Sequence, residues 1–367
     1  MSGPALLLLA LAVSGSSSTA SFVFGGLSIA AGVGGPLFGV ALDRAQRPGR
    51  VLAAALVIYA VGLALVAVIL GRVPVVIVIA CAVAIGLLTP ALAGGWTSQL
   101  HAVVDPRRLP SGHALDAATY NVASLAGPAM AAGVTAIWGA GPAVAISIVF
   151  LCAAAPLAWS LPAAGDATLE SASRTAAGIA HELRAGFEAI AQVPGLRAIT
   201  AGSCTAYLGI GMFVVTCPVL GQERFGGAGR GALLLSVVAA AALLATSMMA
   251  RWPPSWSPEK TFLTATVLAA AALATIAIAT DPALLVTGAA LLGVAEGPQL
   301  ASVFAIRQRD APPRLRGQIF TTAASLKLTF GATGSVVAGV LLTHSFTATL
   351  IVAAAAQLLA VLLLKRP

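Results

Sequence analysis

Gly39-Val-Ala-Leu-Asp43-Arg44-Ala-Gln-Arg47-Pro-Gly49-Arg50 puts three arginines and one acid between an apolar run over 20–42 and another over 51–71. At 1.5 Å per helical residue, either run is long enough to cross a hydrocarbon core of ~30 Å. A basic turn between two such runs reads as the tip of a membrane hairpin. The same alternation continues in both directions. Apolar stretches lie at 4–15, 20–42, 51–71, 74–98, 113–139, 141–161, 195–220, 228–250, 261–280, 282–306, 315–342 and 346–364, twelve spans of which the first is short.

The cations orient this array. With the N-terminus inside, the inside gaps hold Arg44, Arg47, Arg50, Arg107, Arg108, Arg174, Arg184, Arg197, Arg251, Lys260, Arg307, Arg309, Arg314 and Arg316, and the C-terminal Lys365 and Arg366 are inside too. The outside gaps hold Arg72, Arg224 and Arg230, and Lys327 falls within a span. Sixteen against three is a positive-inside pattern and places both termini in the cytoplasm of a multi-pass protein of the inner (plasma) membrane.

Composition excludes other classes. The chain is 59% hydrophobic and 9% charged, against roughly 25% charged in soluble globular domains. Its net charge of +8 is explained by loop arginines facing anionic lipid, so no nucleic-acid partner is expected. Cys81, Cys152, Cys204 and Cys217 all lie in apolar runs and read as small buried hydrophobes. Four dispersed histidines, His101, His113, His181 and His344, offer neither a metal site nor a relay. With no G-x-x-x-x-G-K-[ST] loop and no converging nucleophile, base and acid, the expectation is a protein that is not an enzyme and needs no cofactor, with a proton gradient as its energy source.

The chain repeats itself. Gly86-Leu-Leu-Thr-Pro90 through Gly133 aligns with Gly293-Val-Ala-Glu-Gly-Pro298 through Gly339, each copy holding an apolar helix, a basic loop with proline and a Gly-punctuated helix. Six spans per copy, both running inside to inside, give a parallel repeat. The expected architecture is therefore all-α and integral to the membrane: an N-terminal six-helix bundle at 1–161, a cytoplasmic linker at 162–194 and a C-terminal six-helix bundle at 195–367. Within the linker, Ile179, Leu183, Phe187 and Ile190 form a stripe opposed by His181, Glu182, Arg184 and Glu188, an amphipathic helix for the cytoplasmic face. The repeat offset makes the first span look short of its opening turns, as a misplaced start codon would produce. Residues 4–20 otherwise resemble a signal peptide without its basic segment. Trp138, Trp159, Trp252 and Trp256 fall near span ends, as an interfacial belt requires.

The loop quoted above resembles the G-x-x-x-D-[RK]-x-G-x-[RK]-[RK] signature of the major facilitator superfamily, through Gly39, Asp43, Arg44, Arg47 and Arg50. Gln46 stands where the signature has glycine, and Gly49 comes three residues later. The Ala/Arg/Gly-rich style resembles actinobacterial members of the drug-efflux type. The resemblance implies that Asp43 faces the N-terminus of the eleventh span and locks the cytoplasmic gate in the outward-open state, beside Arg314 and Arg316. Gly127-Pro128 in the fifth span resembles part of the G-x-x-x-G-P-x-x-G-G pattern of proton-coupled exporters.

Ionisable groups inside a membrane are costly and usually functional. Glu296 lies mid-span 10 and Lys327 mid-span 11, at depths that match within ~5 Å. Glu296, Gln299, Val303 and Arg307 share a stripe at three- and four-residue spacing that should face a central cavity. Phe304 flanks that stripe as a packing residue, and Asp116 reads as a first-turn acid of span 5. In the N-terminal half the corresponding groups are neutral: Thr89, Trp96, Tyr120 and Asn121. Two readings stay open for Glu296 and Lys327, a proton-exchanging site and a permanent ion pair bracing two helices. The resulting expectation is a monomeric secondary transporter working by alternating access. Its cargo would be a small amphipathic compound or drug, exported by proton antiport. Import, sugar or metabolite efflux, and a non-transporting truncated homologue are the alternatives.

Overall fold

The computed structural model describes residues 1–163, 176–226 and 231–365. Arg174, Arg230 and Arg366, together with the start of the linker, lie outside the described residues, and Ile179 and Lys365 are described in backbone only. The described chain is all-helical. Its spans are α1 (Ser2–Ser14), α2 (Ser17–Asp43), α3 (Pro48–Ile69), α4 (Val75–Gly86), α5 (Leu109–Trp138) and α6 (Ala140–Trp159). After the linker helix α7 (Ala176–Gln192) come α8 (Pro194–Phe225), α9 (Gly231–Arg251), α10 (Pro258–Ile278), α11 (Pro282–Asp310), α12 (Arg316–Leu341) and α13 (Phe346–Lys365). Among the described residues nine helices are long and apolar enough to cross a membrane, and α1 and α4 are shorter apolar helices. Helix is the form that satisfies every backbone polar group without water, which is why an apolar chain in lipid takes it throughout.

Local chemistry sets the helix ends. Pro48, Pro194 and Pro258 occupy the first helical position, where the missing N–H costs nothing. Ser16 and Ser257 accept hydrogen bonds from the N–H groups of Thr19 and Lys260. Gly15 and Gly226 close α1 and α8 in the left-handed conformation, at φ of 64° and 71°.

The fourth span departs from expectation. Instead of one helix over 74–98, α4 stops at Gly86 and a π-helical turn follows at Ala91–Gly95. Pro90 is the cause: it has no N–H to give the Gly86 carbonyl and its ring crowds that turn. The tenth span also differs, because α11 continues through Arg307 and Arg309 to Asp310. Arg307 is therefore a helix residue rather than a loop anchor, and it is buried.

The chain forms two compact units. One comprises Met1–Val103, Ala126–Ala189 and Ala311–Ser325, and the other Val104–Leu125, Ile190–Asp310 and Leu326–Pro367. Each unit thus takes one segment from the opposite half of the sequence. The first is packed around Leu6, Val23, Leu27, Tyr59, Leu63, Val78 and Ile85. The second is packed around Met212, Phe213, Leu220, Leu273, Ile276, Leu292 and Leu350. Large apolar side chains such as Val76, Ile137, Ile278 and Val336 are about 70% exposed, a surface that only lipid solvates well. Trp138, Trp159, Trp252 and Trp256 are exposed at helix ends, Trp159 beneath the Arg50 guanidinium and Trp252 beneath that of Arg251.

Candidate functional site

Two constellations stand out, one in each unit. In the second unit, a cavity of about 290 Å³ is lined by residues of α5, α8, α9, α11 and α12. Glu296 lies at the midpoint of α11, and Lys327 lies within α12. Both line this cavity, with Tyr120, Asn121, Gln299 and Val303. Thr89 and Trp96 belong to the other unit and do not line it. Glu296 and Lys327 feel each other's charge, yet among the described residues their charged atoms do not come within 4.0 Å.

Lys327 is held by something the sequence did not announce. Its Nζ stands 4.4 Å from the ring centroid of Tyr207 on α8, a cation–π contact. Gly331, one turn further along α12, makes the berth: a Cβ there would stand 2.8 Å from the Tyr207 ring. Tyr207, Ser203 and Ser124 all line the cavity and none was singled out from the sequence. The signal available for the α8 pair was its i, i+4 spacing of polar groups along one face, which an apolar count passes over.

The remaining lining groups are tied down. Gln299 donates through Nε2 to Thr266 Oγ1 at 2.7 Å and to Gln357 Oε1 at 3.4 Å, and Gln357 donates to the Ala206 carbonyl at 2.9 Å. Asn121 reaches Thr246 Oγ1 at 3.5 Å. Tyr120 stacks at a tilt on Phe304, centroids 5.6 Å apart, so Phe304 is a buried packing residue. Arg307 donates through Nη2 to Ser203 Oγ at 3.0 Å, just outside the lining. Asp116 lies two turns into α5 rather than in its first turn, because that helix starts at Leu109, and it is buried.

The second constellation gathers the quoted loop. The Asp43 carboxylate accepts the backbone N–H groups of Gly317 at 2.6 Å and Gln318 at 2.7 Å, at the N-terminus of α12. Free N–H groups and the helix dipole make that end a natural seat for a carboxylate. Gly39 permits the approach, since a Cβ there would collide with the Gln318 Cα and the Thr321 hydroxyl. One helix turn inward, Ser325 Oγ donates to the Ala31 carbonyl at 2.5 Å and accepts from the Gly35 N–H at 3.1 Å. Arg44 pairs with Glu182 of α7 at 2.6 Å, which holds the guanidinium firmly protonated. Glu182 was expected on the solvent side of the linker helix. It turns inward because Arg44 stands there, and Gln318 Nε2 donates to the adjacent Leu183 carbonyl at 3.0 Å. Arg47 and Arg50 are exposed, and Gly49 seats α3 against the Ala158 carbonyl of α6. Gly127 is buried near Met1, and Pro128 is exposed within α5.

The repeat is visible in the elements. Three-residue 3₁₀ turns at Pro106–Arg108 and Pro313–Leu315 introduce α5 and α12, 207 residues apart.

The sequence pattern defining the Major Facilitator Superfamily matches residues 1–332. An uncharacterized MFS-type transporter, y4rN of Sinorhizobium fredii, is 28% identical over 298 residues, covering 77% of this chain and 70% of its own length. Among solved structures, the human organic anion transporter MFSD10 is similar with a TM-score of 0.72 at 19% identity, covering 97% of this chain and 88% of that one. The fucose:proton symporter FucP of E. coli gives a TM-score of 0.75 at 12% identity, covering 99% and 95%. At these identities the likeness to solved structures concerns the fold.

Proposed function

The chain belongs to the Major Facilitator Superfamily, whose members are transporters rather than enzymes, and on that premise we propose that it carries a small amphipathic molecule across the membrane with Glu296 as the proton-exchanging group. One observation carries this reading: a carboxylate and an ammonium share one cavity at mid-helix without forming a contact ion pair. A permanent brace would bring the two together. A pair held apart leaves the carboxylate able to take a proton and the ammonium able to take a ligand. The 290 Å³ cavity sits at the small end of the ~300–1,000 Å³ typical of ligand sites, so the cargo is small. The Asp43 contact at the N-terminus of α12 is the gate on the cytoplasmic side, with both termini in the cytoplasm and the protein a monomer in the plasma membrane. Direction follows from cargo charge. A cation competing for the Glu296 carboxylate gives proton antiport, the drug-efflux mode its composition resembles, whereas an anion gives symport.

The test is proton movement in proteoliposomes loaded with a pH dye, under an imposed pH gradient, with a panel of amphipathic cations, neutral compounds and carboxylates. Compound-triggered flux that disappears in Glu296→Gln is the expected result. Flux that persists undiminished in that variant removes Glu296 from the proton path.

A further inference from the structure

The charges around the cavity set the sign of the cargo. Resting on the transport reading above, we propose that the cavity takes a small amphipathic monoanion, a carboxylate on an apolar body, which binds at Lys327 and travels in the same direction as the proton on Glu296.

Three ionic groups govern this end of the second unit. Lys327 feels the charge of both Glu296 and Arg307, so two cations face one carboxylate. Arg307 is 3% exposed, and among the described residues its Nε is buried with no hydrogen-bond partner. Its Nη2 donates to Ser203, which lines the cavity. Among the described residues no acid lies within 4.0 Å of Lys327 or Arg307. An uncompensated cation in a dry interior costs several kcal/mol. An incoming anion relieves that cost, a neutral cargo leaves it, and a cationic cargo adds a third positive charge. Tyr120, Asn121, Ser124 and Tyr207 supply neutral hydrogen-bonding groups, and Phe213, Leu235 and Val238 an apolar wall.

Coupling follows from the same count. Protonating Glu296 raises the net charge of the three groups from one positive to two, which favours an anion. By linkage, a bound anion favours that proton by the same factor. The loaded site, with one proton and one anion, then carries the same net charge as the empty site with Glu296 ionised. The crossing of the loaded form and the return of the empty form are electrostatically equivalent, so the cycle moves no net charge.

Glu296 is the group that takes up the proton. Lys327, Arg307, Tyr207, Tyr120 and Cys204 are already protonated at neutral pH by their ordinary chemistry. The other charged residues of the helices packed on α11, namely Arg197, Glu223, Arg224, Arg251, Glu259 and Lys260, sit near helix ends. His113 and Asp116, in the opening turns of α5, do not line the cavity.

The experiment titrates the full chain in nanodiscs with phenylbutyrate, phenylbutylamine and phenylbutanol, and with the matching naphthyl series, following thermal stabilisation at about pH 6 and about pH 8, where the acids are ionised and the amines protonated. The carboxylates should bind at least about tenfold more tightly than the alcohols, the amines most weakly. Lys327→Met should remove the preference and Lys327→Arg retain it. Carboxylate affinity should fall from pH 6 to pH 8, and Glu296→Gln should abolish that fall. Should Lys327→Met not fold, the pH test on Glu296→Gln decides. Amines or alcohols binding as well as carboxylates, or a preference untouched by Lys327→Met, overturns the proposal. In proteoliposomes the two readings part. Proton counterflow driven by amines and lost in Glu296→Gln keeps the transporter and sinks the anion site. Carboxylate binding through Lys327 with no proton movement keeps the site and sinks the coupling. Carboxylate-driven proton entry should not respond to an imposed membrane potential.

Discussion

Asp43 spends one carboxylate on two backbone N–H groups, and the value of that arrangement can be measured at a neighbouring residue. Charge-assisted hydrogen bonds contribute ~1.5–3 kcal/mol each, so losing even part of this pair should change the population of an opened contact by at least about tenfold. Ser325, buried between α2 and α12, is the reporter. In a Ser325→Cys background, Asp43→Asn is expected to raise labelling by a membrane-impermeant maleimide from the predicted cytoplasmic side about tenfold. Unchanged labelling would mean that the contact does not hold the two helix ends together. Gly39→Ala should act in the same direction by a different cause, since its new methyl meets the Gln318 backbone, which cannot swing away as a side chain can. Asp43 was singled out in the sequence through the family signature that its loop resembles, a pattern contained within a dozen consecutive residues. Tyr207 was not, because its berth depends on Gly331 and on which face of α8 meets α12, and no spacing within one helix encodes that.

Between elements, α7 is fastened to the ends of α2 and α12 rather than resting loosely beside them. Arg44 and Glu182 pair at 2.6 Å with side chains 18% and 24% exposed, and Gln318 adds its bond to the Leu183 carbonyl. Partial exposure limits the pair to ~0.5–1 kcal/mol. A double-mutant cycle of Arg44→Ala and Glu182→Ala, read by the same Ser325→Cys labelling, should therefore return a coupling of about that size. Additive single effects would show that the linker helix does not share the load of the Asp43 contact. Helix positions were readable from apolar runs and cations because lipid imposes one length and one secondary structure on every span. The break in the fourth span was missed for a physical reason: hydropathy counts Pro90 as one more residue of an apolar run, whereas the backbone counts a lost hydrogen bond at Gly86. The inward turn of Glu182 was missed likewise, since its partner lies 138 residues away.

At the scale of the whole molecule, the cations are spread unevenly over the gaps between helices. Arg44, Arg107, Arg108, Lys260 and Arg314 all stand in gaps of one parity, and Arg72 and Arg224 in the other. Retaining arginine loops on the cytoplasmic side is worth ~1 kcal/mol per cation against an anionic leaflet, so the excess predicts a single orientation. Cysteines introduced singly at Arg108 and Ser257 should accordingly label in inside-out vesicles and resist an impermeant reagent in intact cells. Cysteines at Thr280 and His344 should do the reverse. A mixed result, with Arg108 and Thr280 on one side, would require an even number of crossings between them and would break the parallel repeat. The reversed result at all four positions would keep the fold and invert the gate, placing the Asp43 contact outside. The proton gradient would still set the direction in which a proton and an anion held together at Glu296 and Lys327 would travel, but the Asp43 contact would then close the opposite face of the membrane.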